Sequence, residues 1–123
     1  MGIRFTWLGH SAFTVELDGH PVLFDPYLTG NPLAAAEPGD LNPELSFISH
    51  GHGDHVGDTV EIATRTGATV ITNVEIARWL SAKGVPHASG HNTGGSHNFG
   101  FSTSNFTIAF HSSSLPDGTY GGN

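Results

Sequence analysis

Within six residues the chain places three histidines and an aspartate, His50-Gly51-His52-Gly53-Asp54-His55. Residues i and i+2 of an extended segment face the same side, so His50 and His52, just past a strand end, can reach one metal ion. Gly51 and Gly53 leave the backbone free to approach closely, and the turn they permit aims Asp54 and His55 at a second, adjacent position. The chain has no cysteine, so any ion must be held by imidazole and carboxylate. Those ligands suit zinc, manganese or iron, and zinc is the first expectation, as one ion or two. A divalent ion lowers the pKa of bound water to about 7 and polarises the bond under attack. The chemistry such a cluster points to is hydrolysis by metal-activated water. Asp54 would bind metal and accept a proton from, or hydrogen-bond, the attacking water. Neither a Gly-x-Ser-x-Gly elbow nor a cysteine nucleophile competes with that mechanism.

The elements that must position the cluster read as α/β. Ile3 to Leu8 and Ala12 to Leu17 alternate apolar with polar residues, and Asp18-Gly19 is a tight-hairpin signal leading into Pro21 to Phe24. The stretch from Asp25 to Pro43 is rich in proline and reads as a surface loop with room for one helical turn. Leu45 to Ser49 is a short buried strand that ends at the histidine cluster. Asp58 with Glu61 predicts a capped helix running to about Thr66 and stopping at Gly67, followed by a strand over Ala68 to Thr72. Thr72 with Glu75 repeats the capping signal for a second helix, which Gly84 and Pro86 end. Gly90 to Gly100 reads as a flexible loop, and Phe106 to Phe110 as a last alternating strand ending at His111. This order implies partly parallel pairing.

At 123 residues the chain is one domain, 1–123. Eleven acidic residues against four basic ones give a net charge of −7, which repels phosphate backbones and anionic membrane surfaces. The expected partner is therefore a small-molecule substrate, with neither nucleic acid nor membrane. The start lacks the continuous apolar core of a signal peptide, and no run of residues is long and apolar enough to span a bilayer, so the expected location is cytoplasmic.

The segment ISHGHGDHVGD resembles the HxHxDH signature of the metallo-β-lactamase superfamily of metal-dependent hydrolases. TWLGHSAFTVELDGHPVLFDP and HSSSLPDGTYGGN further resemble its uncharacterised branch related to ascorbate-phosphate lactonases, so the resemblance covers nearly the whole chain. The Gly90 to Thr107 region fits least well. The resemblance implies an αββα sandwich of two similar halves, of which this chain corresponds to the N-terminal αβ half. It implies a first metal on His50, His52 and His111, and a second on Asp54 and His55 together with an aspartate and a histidine from the other half. It sets Asp25 beneath the metal loop, orienting a ligand histidine. The residues alone leave His111 open as an edge histidine, Asp25 as a turn residue and His10 as either a pocket residue or an exposed turn. His20, His87, His91 and His97 read as bystanders, and Asp117-Gly118 as a turn. The substrate class stays open among lactones, phosphate esters, thioesters and amides. A half of such a sandwich would expose the apolar side of its sheet, with Phe5, Trp7, Phe13 and Val15 among the residues concerned. A homodimer or a chain carrying the other half is the expected remedy.

Overall fold

Hydrophobic alternation and tight turns account for most of the sheet in the computed structural model, which describes residues 2–122. β1 (Ile3–Gly9), β2 (Ala12–Leu17) and β3 (His20–Phe24) form an antiparallel meander. Its second turn is set by Asp18 and Gly19 at φ 50° and 83°, the positive-φ pair of a two-residue hairpin that matches the strand twist. β4 (Leu45–Phe47), β5 (Thr69–Asn73) and β6 (Ala88–His91) then add in parallel, giving the order β1-β2-β3-β4-β5-β6. The loop from β3 to β4 carries the anticipated single turn, a 3-10 helix at Pro38–Asp40.

Three helices connect the parallel strands: α1 (Gly53–Val56), α2 (Thr59–Thr66) and α3 (Val74–Ala82). α2 stops at Gly67 in the left-handed conformation, as expected, but its start differs from expectation. The Asp58 side chain makes no cap; it accepts the backbone N–H groups of Leu28 (3.1 Å) and Thr29 (2.8 Å) and ties the β3–β4 loop to the helix. α3 is capped by Asn73, whose side chain accepts from Ile76 N at 2.8 Å. Thr72, the expected cap, is a buried β5 residue whose hydroxyl donates to Ile48 O; a β-branched residue is better accommodated in the strand. α1 is a single turn inside the metal-loop sequence, too short for periodicity to announce.

The sequence reading departs most from the structure between residues 88 and 111. Where Gly90 to Gly100 was expected as a flexible loop, the structure has the end of β6 and β7 (Ser96–Asn98), which pairs in a small hairpin with β8 (Thr103–Asn105) beyond it. Phe106 to Phe110, expected as a strand, lies outside the strands. Polar, glycine-rich strands carry almost no alternation signal, and the alternating segment after them finds no ladder among the described residues.

The sheet has two unlike faces. α2 and α3 cover one, where Leu8, Ala12, Leu23, Leu28 and Ile62 form one core cluster and Ile48, Val56, Ala63, Val70, Ile76, Leu80, Val85 and Leu115 another. The other face carries a ladder of rings, Phe5, Phe13, Phe24 and Phe47, with successive centroids 5.0, 4.6 and 5.1 Å apart. The segment around β7 and β8 leans on part of it, with Phe99 edge-on to Phe47 and Phe101 stacked on His20. Ile3, Phe5 and Trp7 stay 71, 60 and 55% exposed. The face expected to be bare is thus covered toward its middle strands and open at β1.

Candidate metal centre

In an open parallel sheet, functional groups collect where the strands end. β1 runs out at Gly9 just before His10, β3 at Phe24 just before Asp25, and β4 at Phe47, three residues before His50. His50, His52 and His111 each present a ring nitrogen within 4.8 Å of the others. Their ring centroids are 4.7 Å apart for His50–His52 and His50–His111, and 5.0 Å for His52–His111. In a second set, His10, Asp54 and His55, one ligand atom of each likewise lies within 4.8 Å of the others. The His50 and His55 rings, 4.1 Å apart, join the two sets.

The polar layer below decides which nitrogen each ring offers. Asp25, at φ 42°, accepts the Ser49 backbone N–H (2.8 Å) and hydroxyl (2.6 Å), and its Oδ2 lies 2.9 Å from His55 Nδ1. With its proton on Asp25, the Ser49 oxygen is an acceptor for His50 Nδ1 at 2.9 Å. Both rings are then protonated at Nδ1, leaving each Nε2 as a bare lone pair. His52 Nε2 lies 3.2 Å from the Ser112 hydroxyl, which leaves its Nδ1 for the centre.

Whether these residues fit a metal is tested by His50 Nε2, which is buried and has no hydrogen-bond partner. A buried polar atom without a partner is costly unless something else satisfies it. Burial first, and then the neighbouring His55, push the His50 pKa down from 6.5 to about 4, with His52 and His111 adding to the effect and Asp25 opposing it. The ring is neutral at pH 7, as coordination requires. Three imidazoles around an unpartnered nitrogen fit a borderline divalent ion.

His111 reaches this point by a route other than the expected strand end. The segment after it docks against the metal loop: Gly51 N donates to the buried Ser113 Oγ at 2.9 Å, and Ser113 Oγ and Asn73 Nδ2 both donate to Gly121 O, at 3.1 and 2.6 Å. A Cβ at Gly51 would stand 2.9 Å from Ser113 O, so the close approach of the two segments favours glycine there. Asp117-Gly118 forms the expected turn, with Gly118 N donating to Leu115 O at 2.8 Å. Asp117 also accepts from Trp79 Nε1 at 2.8 Å and anchors the segment to α3. Ser49, Ser112 and Ser113 were not anticipated; serines beside histidines are too common a pattern to stand out.

Among the remaining histidines, His20 pairs with Glu44 at 2.9 Å, and His91 and His97 lie together beside Phe106 and Phe99, in neither ligand set. His87 gives its carbonyl to Val70 N. His10 is brought directly to Asp54, with Nε2 3.3 Å from Oδ2.

Residues 5–118 match the family model of the metallo-beta-lactamase superfamily. UPF0173 metal-dependent hydrolases are similar: that of Methanopyrus kandleri is 53% identical over 76% of this chain and 40% of its own length. That of Carboxydothermus hydrogenoformans is 48% identical over 94% of this chain and 51% of its own. Among solved structures, Igni18, a metallo hydrolase from Ignicoccus hospitalis, aligns with a TM-score of 0.81 and 35% identity, covering 97% of this chain and 53% of that one. The chain spans about half the length of the relatives it matches.

Proposed function

The chain belongs to the metallo-beta-lactamase superfamily, and from that premise we propose that it carries the water-activating metal centre of a hydrolase acting on a small-molecule lactone, phosphate ester, thioester or amide. The observation that carries this reading is the buried, unpartnered Nε2 of His50 facing the rings of His52 and His111. These three residues would hold the first ion, zinc by donor set, while Asp54 and His55 contribute to a second. A bound divalent ion supplies water that ionises near neutral pH and a Lewis acid at the scissile bond.

The chain's own groups do the positioning. Asp25 holds His55 and Ser49, and Ser49 holds His50, so each ring keeps its orientation. The Asp54 carboxylate, half-exposed at the mouth of the site, is placed to take a proton from an attacking water. The net charge of −7 supports a small-molecule substrate over nucleic acid.

A second reading, a metal-binding half without turnover, is favoured by one observation: the sheet face carrying Phe5 and Trp7 is open. We propose that a second αβ layer, from a second copy or a chain carrying the other half, covers that face and completes the substrate pocket. Metal analysis of the purified chain, with turnover of generic esters and phosphodiesters before and after metal removal, tests both. Metal-dependent turnover that His52→Ala abolishes supports the hydrolase. Stoichiometric metal without turnover supports the second reading, and absence of bound metal refutes both.

A further inference from the structure

We propose that the substrate is an acyl compound, a lactone, thioester or amide, whose apolar acyl chain lies in a cleft between the sheet and the segment of residues 102–109. The inference rests on the hydrolase reading above and deepens it by choosing among its substrate classes.

The cleft follows from strand periodicity. The β2–β3 register sets Phe13 opposite Phe24 and Val15 opposite Val22, and the β3–β4 register sets Phe24 opposite Phe47. Alternate residues share a face, so the rings form a row there, tilted by only 10 and 12° between neighbours. These rings floor a cavity of about 370 Å3, walled by residues that include Phe106 and Ala109. A further cavity of about 300 Å3 extends from it toward Val15, Leu17 and Val22. Phe24, Phe47, Asn105 and Phe106 line both, which makes one apolar cleft of them. Small-molecule sites start at roughly 300 Å3 and combine apolar walls with a few placed polar groups.

The polar groups stand at one end of this cleft. Asp25 and Ser49 line it there, and they are the residues lying 2.9 Å from His55 Nδ1 and His50 Nδ1. Each bordering segment also runs into the metal centre: Phe24 precedes Asp25, Phe47 stands three residues before His50, and Ala109 two before His111. An acyl chain laid along the floor therefore brings its carbonyl to the ligand histidines. In the hydrolysis, water adds its oxygen to the acyl carbon and the bond to the leaving alcohol, thiol or amine breaks. Asp54 passes one water proton to the leaving group, and a carboxylic acid remains.

Two competing occupants fit less well. Arg4, Arg65, Arg78 and Lys83 are the basic residues of the chain, and none lines either cavity. A phosphate ester would meet neither a guanidinium nor an ammonium group here, against a net charge of −7. Side chains of a second αβ layer have their natural place at the open β1 end, since Phe5 and Trp7 line neither cavity. Over the cleft the chain supplies its own cover, with Phe99 edge-on to Phe47 and Phe101 stacked on His20.

The test uses neutral, non-hydrolysable probes: methyl butyl, methyl hexyl and methyl octyl ketone, titrated calorimetrically into the full chain as isolated and after metal removal. Affinity should rise by up to about fourfold per added methylene, the gain for burying one, in both forms. Val15→Trp, which fills the end away from Asp25, should weaken the octyl ketone and leave the butyl ketone unchanged. Ser102→Trp, on the covering segment, should do the same without touching the sheet. With nitrophenyl acetate, hexanoate and decanoate, KM should fall along the series while kcat changes little. Ketone affinity independent of chain length, or unchanged selectivity in both variants, would overturn the inference while metal-dependent turnover kept the hydrolase reading. Ketone binding in a self-associated chain weaker than in its monomeric Phe5→Lys, Trp7→Lys form would show that a second layer fills the cleft, and would also overturn it. Chain-length-dependent ketone binding without turnover of any ester would leave the cleft standing and overturn the hydrolase reading instead.

Discussion

Asp25 Oδ2 sits 2.9 Å from Nδ1 of His55, a residue thirty positions later in the chain, and both side chains are largely buried. The same carboxylate takes both hydrogen bonds from Ser49, so one residue sets the orientation of His55 directly and of His50 through Ser49. Asp25→Ala should leave the Ser49 N–H and His55 Nδ1 without their acceptor and let both rings turn. Metal affinity should fall about 10- to 100-fold, read by competition with a chromophoric chelator. An affinity equal to wild type would remove Asp25 from the positioning network.

This relationship also marks what the sequence could and could not reveal. His50, His52, Asp54 and His55 were legible because ligand spacing is local. The meander and both longer helices were legible because their apolar periods are. Asp25 and His111 entered the candidate site only through the family resemblance, since nothing local separates either from a turn or edge residue. The docking of Ser113 on Gly51 across 62 positions was invisible, because it depends on where the chain returns. β7 and β8 were missed because Ser, His and Asn at their positions give no hydrophobic alternation.

Ser113→Ala provides a test of how His111 is held. The substitution leaves the buried Gly51 N–H without its acceptor and frees one contact to Gly121, at a cost of about 1–3 kcal/mol. Urea unfolding of the metal-free chain should shift by that amount. Metal affinity should drop with it, because the segment bearing His111 loses its anchor. A variant destabilised without any change in metal affinity would show that His111 is positioned independently of Ser113.

The low pKa of His50 makes a prediction about acid stability. The folded ring takes up its proton near pH 4, whereas the unfolded one does so near 6.5. Between those values the unfolded state binds more protons, so stability falls as pH decreases. The contribution is fully present above about 6.5 and is lost progressively down to about 4; the ring is only partly buried, and solvent screening reduces its size. Denaturant titrations of the metal-free chain from pH 7 to 4 should show a steeper loss for wild type than for His50→Gln. Parallel profiles would rule out His50 as the source.

The aromatic ladder bears on the state in which the chain works. Phe5 lies 5.0 Å from Phe13, which stacks at 4.6 Å on Phe24, so the exposed end at β1 is continuous with the partly covered middle of the same face. Burying large apolar side chains is worth roughly 1.5–3 kcal/mol each. Ile3, Phe5 and Trp7 leave more than half of their surface in water. A contiguous patch of that kind favours association. In an isologous pair each copy would offer the same patch to the other, and the contact closes without forming a filament. The isolated chain should therefore show a mass above that of the monomer by light scattering at micromolar concentration. Phe5→Lys with Trp7→Lys should return it to a monomer of unchanged far-ultraviolet circular dichroism, because both side chains point away from the helix-covered core. If the wild-type chain were instead a cooperative monomer with full hydrolytic activity, the open face would need no second layer, and the proposal that one completes the site would fail.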